Sequence, residues 1–144
     1  MQFEIIHGEL VRSTEKQKKG EELIPGEISI IGTNAIYWYR NIRNIEFPEE
    51  IKAIGAFAFE RCFELKNVKL PKNMSTIGNG AFRYCRNLQR IVLPDGIKTI
   101  EEEAFCECEK LDEIILPSTL KEIKKAHLQA AKIYKGLCFQ MELR

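Results

Sequence analysis

The side chains best suited to chemistry in this 144-residue chain are five cysteines and two histidines. A zinc site needs about four clustered ligands, commonly with two to four residues between paired cysteines. Cys106 and Cys108 have one residue between them, and His7 and His127 lie at opposite ends of the sequence. No pattern for a nucleophilic serine, a zinc protease or a phosphate-binding loop is present. We therefore expect no metal, no cofactor and no catalytic residue, and predict that the protein is not an enzyme.

Three of the cysteines recur at a fixed spacing, which indicates a role in packing. Cys62, Cys85 and Cys108 are each 23 residues apart, and each follows an Ala-Phe pair and precedes a leucine. Cysteine behaves as a small apolar residue in a protein core. Tyr39 and Ala131 take the same position in the flanking copies, which favours packing over chemistry. By helical spacing, Cys106 is predicted to point outward. The odd number of cysteines favours reduced thiols.

The same period extends to many other positions and shows that the chain is a repeat. The columns include Ile31, Ile54, Ile77, Ile100 and Ile123; Ile45, Val68, Ile91, Ile114 and Leu137; and Pro25, Pro48, Pro71, Pro94 and Pro117. The alternation over residues 68–70 predicts a strand, and the proline after it ends that strand. The spacing of apolar residues over 77–88 predicts a short helix with one apolar face. Neither element buries its apolar side alone, so the units must stack.

The repeated pattern I-x-x-I-G-x-x-A-F-x-x-C-x-x-L-x-x-I-x-L-P resembles the BspA-type class of leucine-rich repeats, over roughly residues 23–140. This resemblance implies a curved, right-handed solenoid with a strand-lined face, binding of protein ligands and no known chemistry. Many members of that class are surface or secreted proteins. The predicted fold is an α/β repeat, namely a leucine-rich-repeat solenoid of about five 23-residue strand-plus-short-helix units. Stacking places the strands in a parallel sheet on one face.

We predict a single leucine-rich-repeat domain over residues 1–144, capped at both ends. Its predicted parts are an N-terminal cap at 1–25, repeats at 26–117, and a degenerate repeat with a C-terminal cap at 118–144. Residues 3–11 predict a hairpin with its turn near His7-Gly8, and the polar residues 12–21 predict a mobile loop. Residues 121–135 predict a longer helix, and 137–143 a terminal strand that covers the last coil. That strand could instead pair with a second copy and form a homodimer.

Positions that vary between units on the strand face form the first candidate binding site. They are Asn44, Glu46, Asn67, Lys69, Arg90, Val92, Glu113 and Ile115. Val92 and Ile115 are neighbouring apolar residues on a face expected to be wet, and Lys69, Arg90 and Glu113 surround them. This arrangement is typical of a small protein-contact patch. The alternative is ordinary strand propensity on a solvated face.

A second candidate site lies on the predicted helix side. It comprises Tyr37, Trp38, Arg61, Phe63, Arg83 and Tyr84, with Arg40 and Arg86 interleaved. Tyrosine, tryptophan and arginine are the residues most enriched at interface hot spots. The alternative is that the rings lie flat against neighbouring coils with arginines stacked on them.

Charge is balanced overall but segregated along the chain. The net charge is +1, and no apolar run is long enough to span a membrane, so we expect no nucleic-acid or membrane partner. Residues 83–90 carry three arginines and no acid, whereas 101–113 are strongly acidic. Pairing between coils or steering of a charged partner would each explain this segregation of charge.

With Met1 as the native start, no leader is visible and a cytoplasmic location is expected; a trimmed chain would leave a secreted or cell-surface location open. The predicted function is a non-catalytic protein-binding module, either an adaptor or an inhibitor that occludes its target. The alternative is a self-assembling or surface-adhesin repeat protein.

Overall fold

The computed structural model describes residues 2–14 and 20–124, which form a β-solenoid of about five coils. The strands are β1 (Gln2–Ile6), β2 (Glu9–Thr14), β3 (Gly20–Leu23), β4 (Ile30–Ile31), β5 (Ile42–Glu46), β6 (Ala53–Ile54), β7 (Asn67–Lys69), β8 (Thr76–Ile77), β9 (Arg90–Val92), β10 (Thr99–Ile100), β11 (Glu113–Ile115) and β12 (Glu122–Ile123).

One sheet contains the strands that the alternating pattern predicts, together with β3. Its order is β3-β5-β7-β9-β11, and every neighbouring pair is parallel. Equivalent residues of successive coils lie side by side, so that Ile45 pairs with Val68 and Ile114 with Ile91. These central residues are buried, whereas their neighbours along each strand point outward. The predicted parallel sheet on one face is confirmed.

A second run of short strands was not predicted. The two-residue strands β4, β6 and β8 pair in parallel with one another, and β10 pairs in the same way with β12. They carry the column that runs from Ile31 to Ile123, which the periodicity placed at the start of each helix. Each coil therefore has two strand segments, and the apolar core lies between them.

The short helix predicted in each unit is wrong for the described residues. Residues 78–88 form a series of turns, as do the equivalent residues of the other coils. Gly80 and Tyr84 both have left-handed backbone conformations, with φ of 58°, which interrupt a right-handed helix. The backbone N–H of Phe82 donates to the carbonyl of Ala104 in the next coil at 2.9 Å rather than to the residue four positions back. No helix long and apolar enough to cross a bilayer occurs in the described part of the chain.

Identical core residues of successive coils stack on one another. Phe59, Phe82 and Phe105 are at most 1% exposed and stack along the solenoid axis. The Phe59 and Phe82 ring centroids are 5.3 Å apart with 7° between planes, and those of Phe82 and Phe105 are 5.7 Å apart with 3°. Each coil therefore buries its apolar face against the coils on both sides, which no coil achieves alone.

The predicted N-terminal hairpin is confirmed. Strands β1 and β2 pair antiparallel around a turn in which His7 and Gly8 both have positive φ. Strand β2 then pairs in parallel with β4, so the hairpin covers the first coil. The loop predicted at 12–21 is wrong at its two ends, since β2 extends to Thr14 and β3 begins at Gly20. Residues 15–19 lie outside the described part of the chain.

Most of the predicted C-terminal cap also lies outside the described residues. The helix predicted from residue 121 is wrong at its start, because Glu122–Ile123 form strand β12 beside β10. The rest of that helix, His127 and the terminal strand at 137–143 fall beyond residue 124. The homodimer through that strand therefore stays a prediction.

Candidate functional site

The recurring cysteines pack in the core, as predicted. Cys62, Cys85 and Cys108 are fully buried, and each thiol donates to a backbone carbonyl of the preceding coil at 3.2 Å. Burial raises the pKa of Cys62 and Cys108 to about 12, because a thiolate there would lose its solvation. The thiols are therefore protonated donors with little nucleophilic character.

Cys106 lies outside the cluster of core residues that contains Cys108, in the same repeat column as Tyr37 and Arg83, as the outward prediction requires. Its side chain is nevertheless only 6% exposed, because Arg83 of the preceding coil lies against it. Burial is the larger cause that raises the pKa of Cys106, and the negative charge of Glu107 raises it further. Over residues 2–14 and 20–124, no three histidine, cysteine or acidic residues are grouped closely enough to hold a metal ion.

The strand-face residues lie together on one surface, as predicted. Strands β5, β7, β9 and β11 bring them into two columns that run across the coils. The first column is Asn44, Asn67, Arg90 and Glu113, and the second is Glu46, Lys69, Val92 and Ile115. Val92 is 46% exposed, and Ile115 beside it is half-buried. Whether a partner binds this surface stays a prediction.

The polar residues of the strand face contact one another between coils. Asn67 donates from Nδ2 to Oδ1 of Asn44 at 2.7 Å, and Lys69 forms an ion pair with Glu46. The hydrogen bond and the charge of Glu46 raise the pKa of Lys69. Because both ends of this ion pair are exposed, it adds little stability. The pair lies on one side of the apolar residues, next to Val92 in the same outward column.

An open groove of about 420 Å³ lies on the same face, between the second and third coils of the sheet. Its lining consists of Asn67, Val68, Lys69, Leu70, Lys72, Arg90, Ile91, Val92 and Pro94. Three of these residues are cationic and none is acidic. The sequence patterns did not indicate the groove, because Leu70, Lys72 and Pro94 belong to the strand exit rather than to the outward columns. The signal available was the Leu-Pro pair at the ends of these two strands, Leu70-Pro71 and Leu93-Pro94.

The segregated charges pair between neighbouring coils. Arg83 Nη1 is 3.2 Å from a carboxylate oxygen of Glu103, and Arg86 Nε is 3.1 Å from one of Glu109. Arg90 forms the third pair, with Glu113, at 2.6 Å. Of the two explanations left open by the sequence, pairing between coils is therefore present.

The second candidate site lies on turns rather than on helices, and its arginines stack on its rings. Arg61 Cζ lies 5.5 Å from the ring centroid of Trp38 and 5.6 Å from that of Tyr84. Arg83 Cζ is 4.9 Å from the Tyr84 ring, and Arg40 Cζ is 5.3 Å from the Trp38 ring. We call this surface, together with Tyr37, the arginine–aromatic face.

A parallel column continues the same alternation. Arg40, Phe63, Arg86 and Glu109 occupy equivalent positions of successive coils, and Arg86 Cζ lies 5.4 Å from the Phe63 ring. Phe63 and Tyr84 are half-buried, whereas Tyr37 and Trp38 are each 41% exposed. The stacking of arginines on rings is thus present, and a role of these residues in binding stays a prediction.

Comparison with known families and structures adds to this geometry. A model of the BspA type leucine rich repeat region matches residues 21–135 in six copies. Among the curated proteins, none matches the sequence.

Several solved structures share the fold. One is a leucine-rich-repeat protein from Bacteroides ovatus, with 27% identity and a TM-score of 0.76 over 92% of this chain and 38% of that chain. Another is the leucine-rich-repeat protein of T. pallidum, with 25% identity and a TM-score of 0.76 over 85% of this chain and 60% of that chain. A leucine-rich cell surface protein from Faecalibacterium prausnitzii, with 24% identity, a TM-score of 0.73 and coverage of 90% and 39%, is similar in fold. The chain therefore spans less than two thirds of the length of these structures.

Proposed function

The chain belongs to the BspA-type leucine-rich-repeat family, and we propose that it is a non-catalytic module that binds another protein through its strand face. The observation that carries this proposal is the exposure of Val92, which lines the groove between the second and third coils. An apolar centre with polar and charged residues around it is the usual composition of a protein-contact patch. The rigid parallel sheet under it would keep that patch preorganised, which lowers the entropy lost on binding.

Two settings for this binding are compatible with the family. In the first, the module belongs to a surface or adhesin-type repeat protein; in the second, it is a cytoplasmic adaptor or inhibitor. The surface role has more support, since the family resemblance implies it and a protein of similar fold carries that description. Protease treatment of intact native cells distinguishes them, because only a surface protein is degraded before lysis.

The strand face is tested by site-directed photo-crosslinking in the native host. A photoreactive residue at position 92 should capture a specific protein, whereas the same residue at position 30 should not. Ile30 is the matched control, since it is 39% exposed and lies on the other run of strands. Combined substitution of Arg90, Val92 and Ile115 by serine should then abolish binding of the purified partner in calorimetry with the fold intact. Equal capture from both positions, or unchanged affinity of the triple variant, contradicts the proposal.

A further inference from the structure

The arginine–aromatic face exposes two large rings where the solenoid does not need them. Tyr37 and Trp38 are each 41% exposed, and their centroids are 6.1 Å apart in an edge-to-face arrangement. Adjacent exposed rings of this size expose apolar surface to water, which is unfavourable unless something covers it.

The backbone beneath these rings favours a different residue type. Trp38, Arg61, Tyr84 and Glu107 form one column, and all have left-handed backbone conformations with φ between 57° and 62°. The conformation is set by the backbone, since the N–H of Trp38 donates to Glu60 in the next coil at 2.8 Å. Glycine adopts this conformation without strain, whereas a bulky side chain does so at a cost. The side chains of this column are therefore held at a cost in backbone strain, and those of Trp38, Arg61 and Tyr84 contact one another between coils.

Arg61 is held in place by two ring contacts and one hydrogen bond, which leave most of its N–H donors unused among the described residues. Its guanidinium lies between the rings of Trp38 and Tyr84, and its Nη1 donates to the hydroxyl oxygen of Tyr37 at 3.3 Å. Its nearest acidic contact is the carboxylate of Glu60, 3.9 Å from Nε, and its side chain is 39% exposed. A guanidinium has five N–H donors in a rigid fork that matches carboxylate, sulfate or phosphate oxygens. Stacking on rings keeps that fork oriented and reduces the entropy lost when an anion binds.

The local charge favours an anionic ligand. The residues around the exposed rings are Arg40, Arg43 and Arg61 against Glu60 and Glu64, an excess of one positive charge, and Arg43 is paired with Glu64 at 3.8 Å. The acidic residues of 101–113 lie at the other end of the same face. Successive coils are about 4.8 Å apart. A long ligand with anionic substituents at intervals would therefore contact side chains of more than one coil. A pyranose ring offers an apolar C–H face to an aromatic ring, and its sulfate or carboxylate substituents suit the arginine fork.

We propose that the arginine–aromatic face binds an acidic polysaccharide, with an anionic group on Arg61 and a sugar ring against Tyr37 and Trp38. This site is separate from the strand face and does not depend on protein binding there.

Sized heparin fragments are the probe, and their affinity for the whole chain is measured by calorimetry near physiological salt. Trp38→Gly and Arg61→Gly should each weaken binding about tenfold or more, because each removes a charge-assisted or ring contact. Both variants should fold, since their backbone conformation suits glycine. Glu107→Gly is the matched control from the same column, and its affinity should not fall. Neutral dextran should not bind.

Three results overturn the proposal. The first is no heparin binding by the wild-type chain. The second is heparin binding that neither glycine variant weakens, which places the sugar elsewhere. The third is poly-L-glutamate binding as tightly as heparin with the same dependence on Arg61, which identifies the ligand as an acidic protein segment. If circular dichroism shows that Trp38→Gly is unfolded, the Arg61→Gly variant decides the outcome. The serine triple variant of the strand face should retain heparin affinity, which separates this test from that of protein binding.

Discussion

Replacement of Phe82 by alanine tests whether stacked coils stabilise one another. Phe82 is fully buried, and its ring stacks on Phe59 at 5.3 Å and on Phe105 at 5.7 Å. Loss of a buried phenylalanine side chain costs about 3–5 kcal/mol of unfolding free energy. Each lost ring pair adds about 0.5–1.5 kcal/mol beyond buried area, which places Phe82→Ala near the upper end, at about 5 kcal/mol.

Urea unfolding followed by circular dichroism measures this loss. With a slope of about 1–3 kcal/mol per molar urea, the midpoint should fall by about 2 M or more. A small domain has only about 5–15 kcal/mol of stability, so the alanine variant could be unfolded without urea. In that case Phe82→Leu, expected to lose about 1–3 kcal/mol, provides the measurement.

Phe63→Ala is the control for loss of a ring outside the stack. Phe63 is half-buried under the guanidinium of Arg86, so its removal should cost only about 1 kcal/mol. A loss below about 2 kcal/mol for Phe82→Ala, or equal losses at the two positions, would refute the argument that coupling between coils dominates stability.

Two further predictions concern close backbone approach and buried thiols. A Cβ on Gly78 would lie 2.7 Å from the backbone nitrogen of Ala56, so Gly78→Ala should lower the free energy of unfolding by about 1–3 kcal/mol. Gly26→Ala is the control and should leave the melting temperature nearly unchanged, because a Cβ there meets no atom within 4 Å. Equal melting temperatures of the two variants would contradict this prediction. Because burial raises the pKa of Cys62 and Cys108 from 9.0 to about 12, these thiols ionise first in the unfolded state as pH rises. Their contribution to stability should thus be complete below pH 9 and be lost between pH 9 and 12, and an unchanged pH slope in a Cys62→Ala/Cys108→Ala variant would disprove it.

The columns of the core could be predicted from the sequence because burial restricts residue type. Val68 and Ile91 recur at one period, and a parallel sheet is the arrangement that buries such a column continuously. The Ala-Phe and Cys columns follow the same logic. The period also identified the outward strand positions, since a strand alternates between two faces.

The helix was predicted wrongly because apolar spacing alone does not distinguish a helix from a compact series of turns. Intervals of three and four residues bring side chains to one side in both cases. The deciding interaction is between coils, as when the N–H of Phe59 donates to the carbonyl of Ala81 at 2.8 Å. Such a bond leaves no trace in the local pattern. A local signal was present in Gly80, which adopts a positive φ within the predicted helix.

The arginine–aromatic face could be predicted only as a set of residues, and its geometry could not. The sequence places Trp38, Arg61 and Tyr84 one period apart, but the order of stacking depends on left-handed turns that pattern reasoning did not include. The groove was missed for a related reason, since it forms where strand exits of two coils meet.

The hydrogen bonds between coils restrict insertions and deletions to whole repeats of the chain. The N–H of Trp38, Arg61 and Tyr84 each donate to the carbonyl 22 residues ahead, at 2.8 to 2.9 Å. Deletion or duplication of one whole 23-residue repeat restores the same partners, whereas a change of 22 or 24 residues shifts every later coil out of register. Unequal recombination between repeats can therefore lengthen or shorten such a protein while preserving its core.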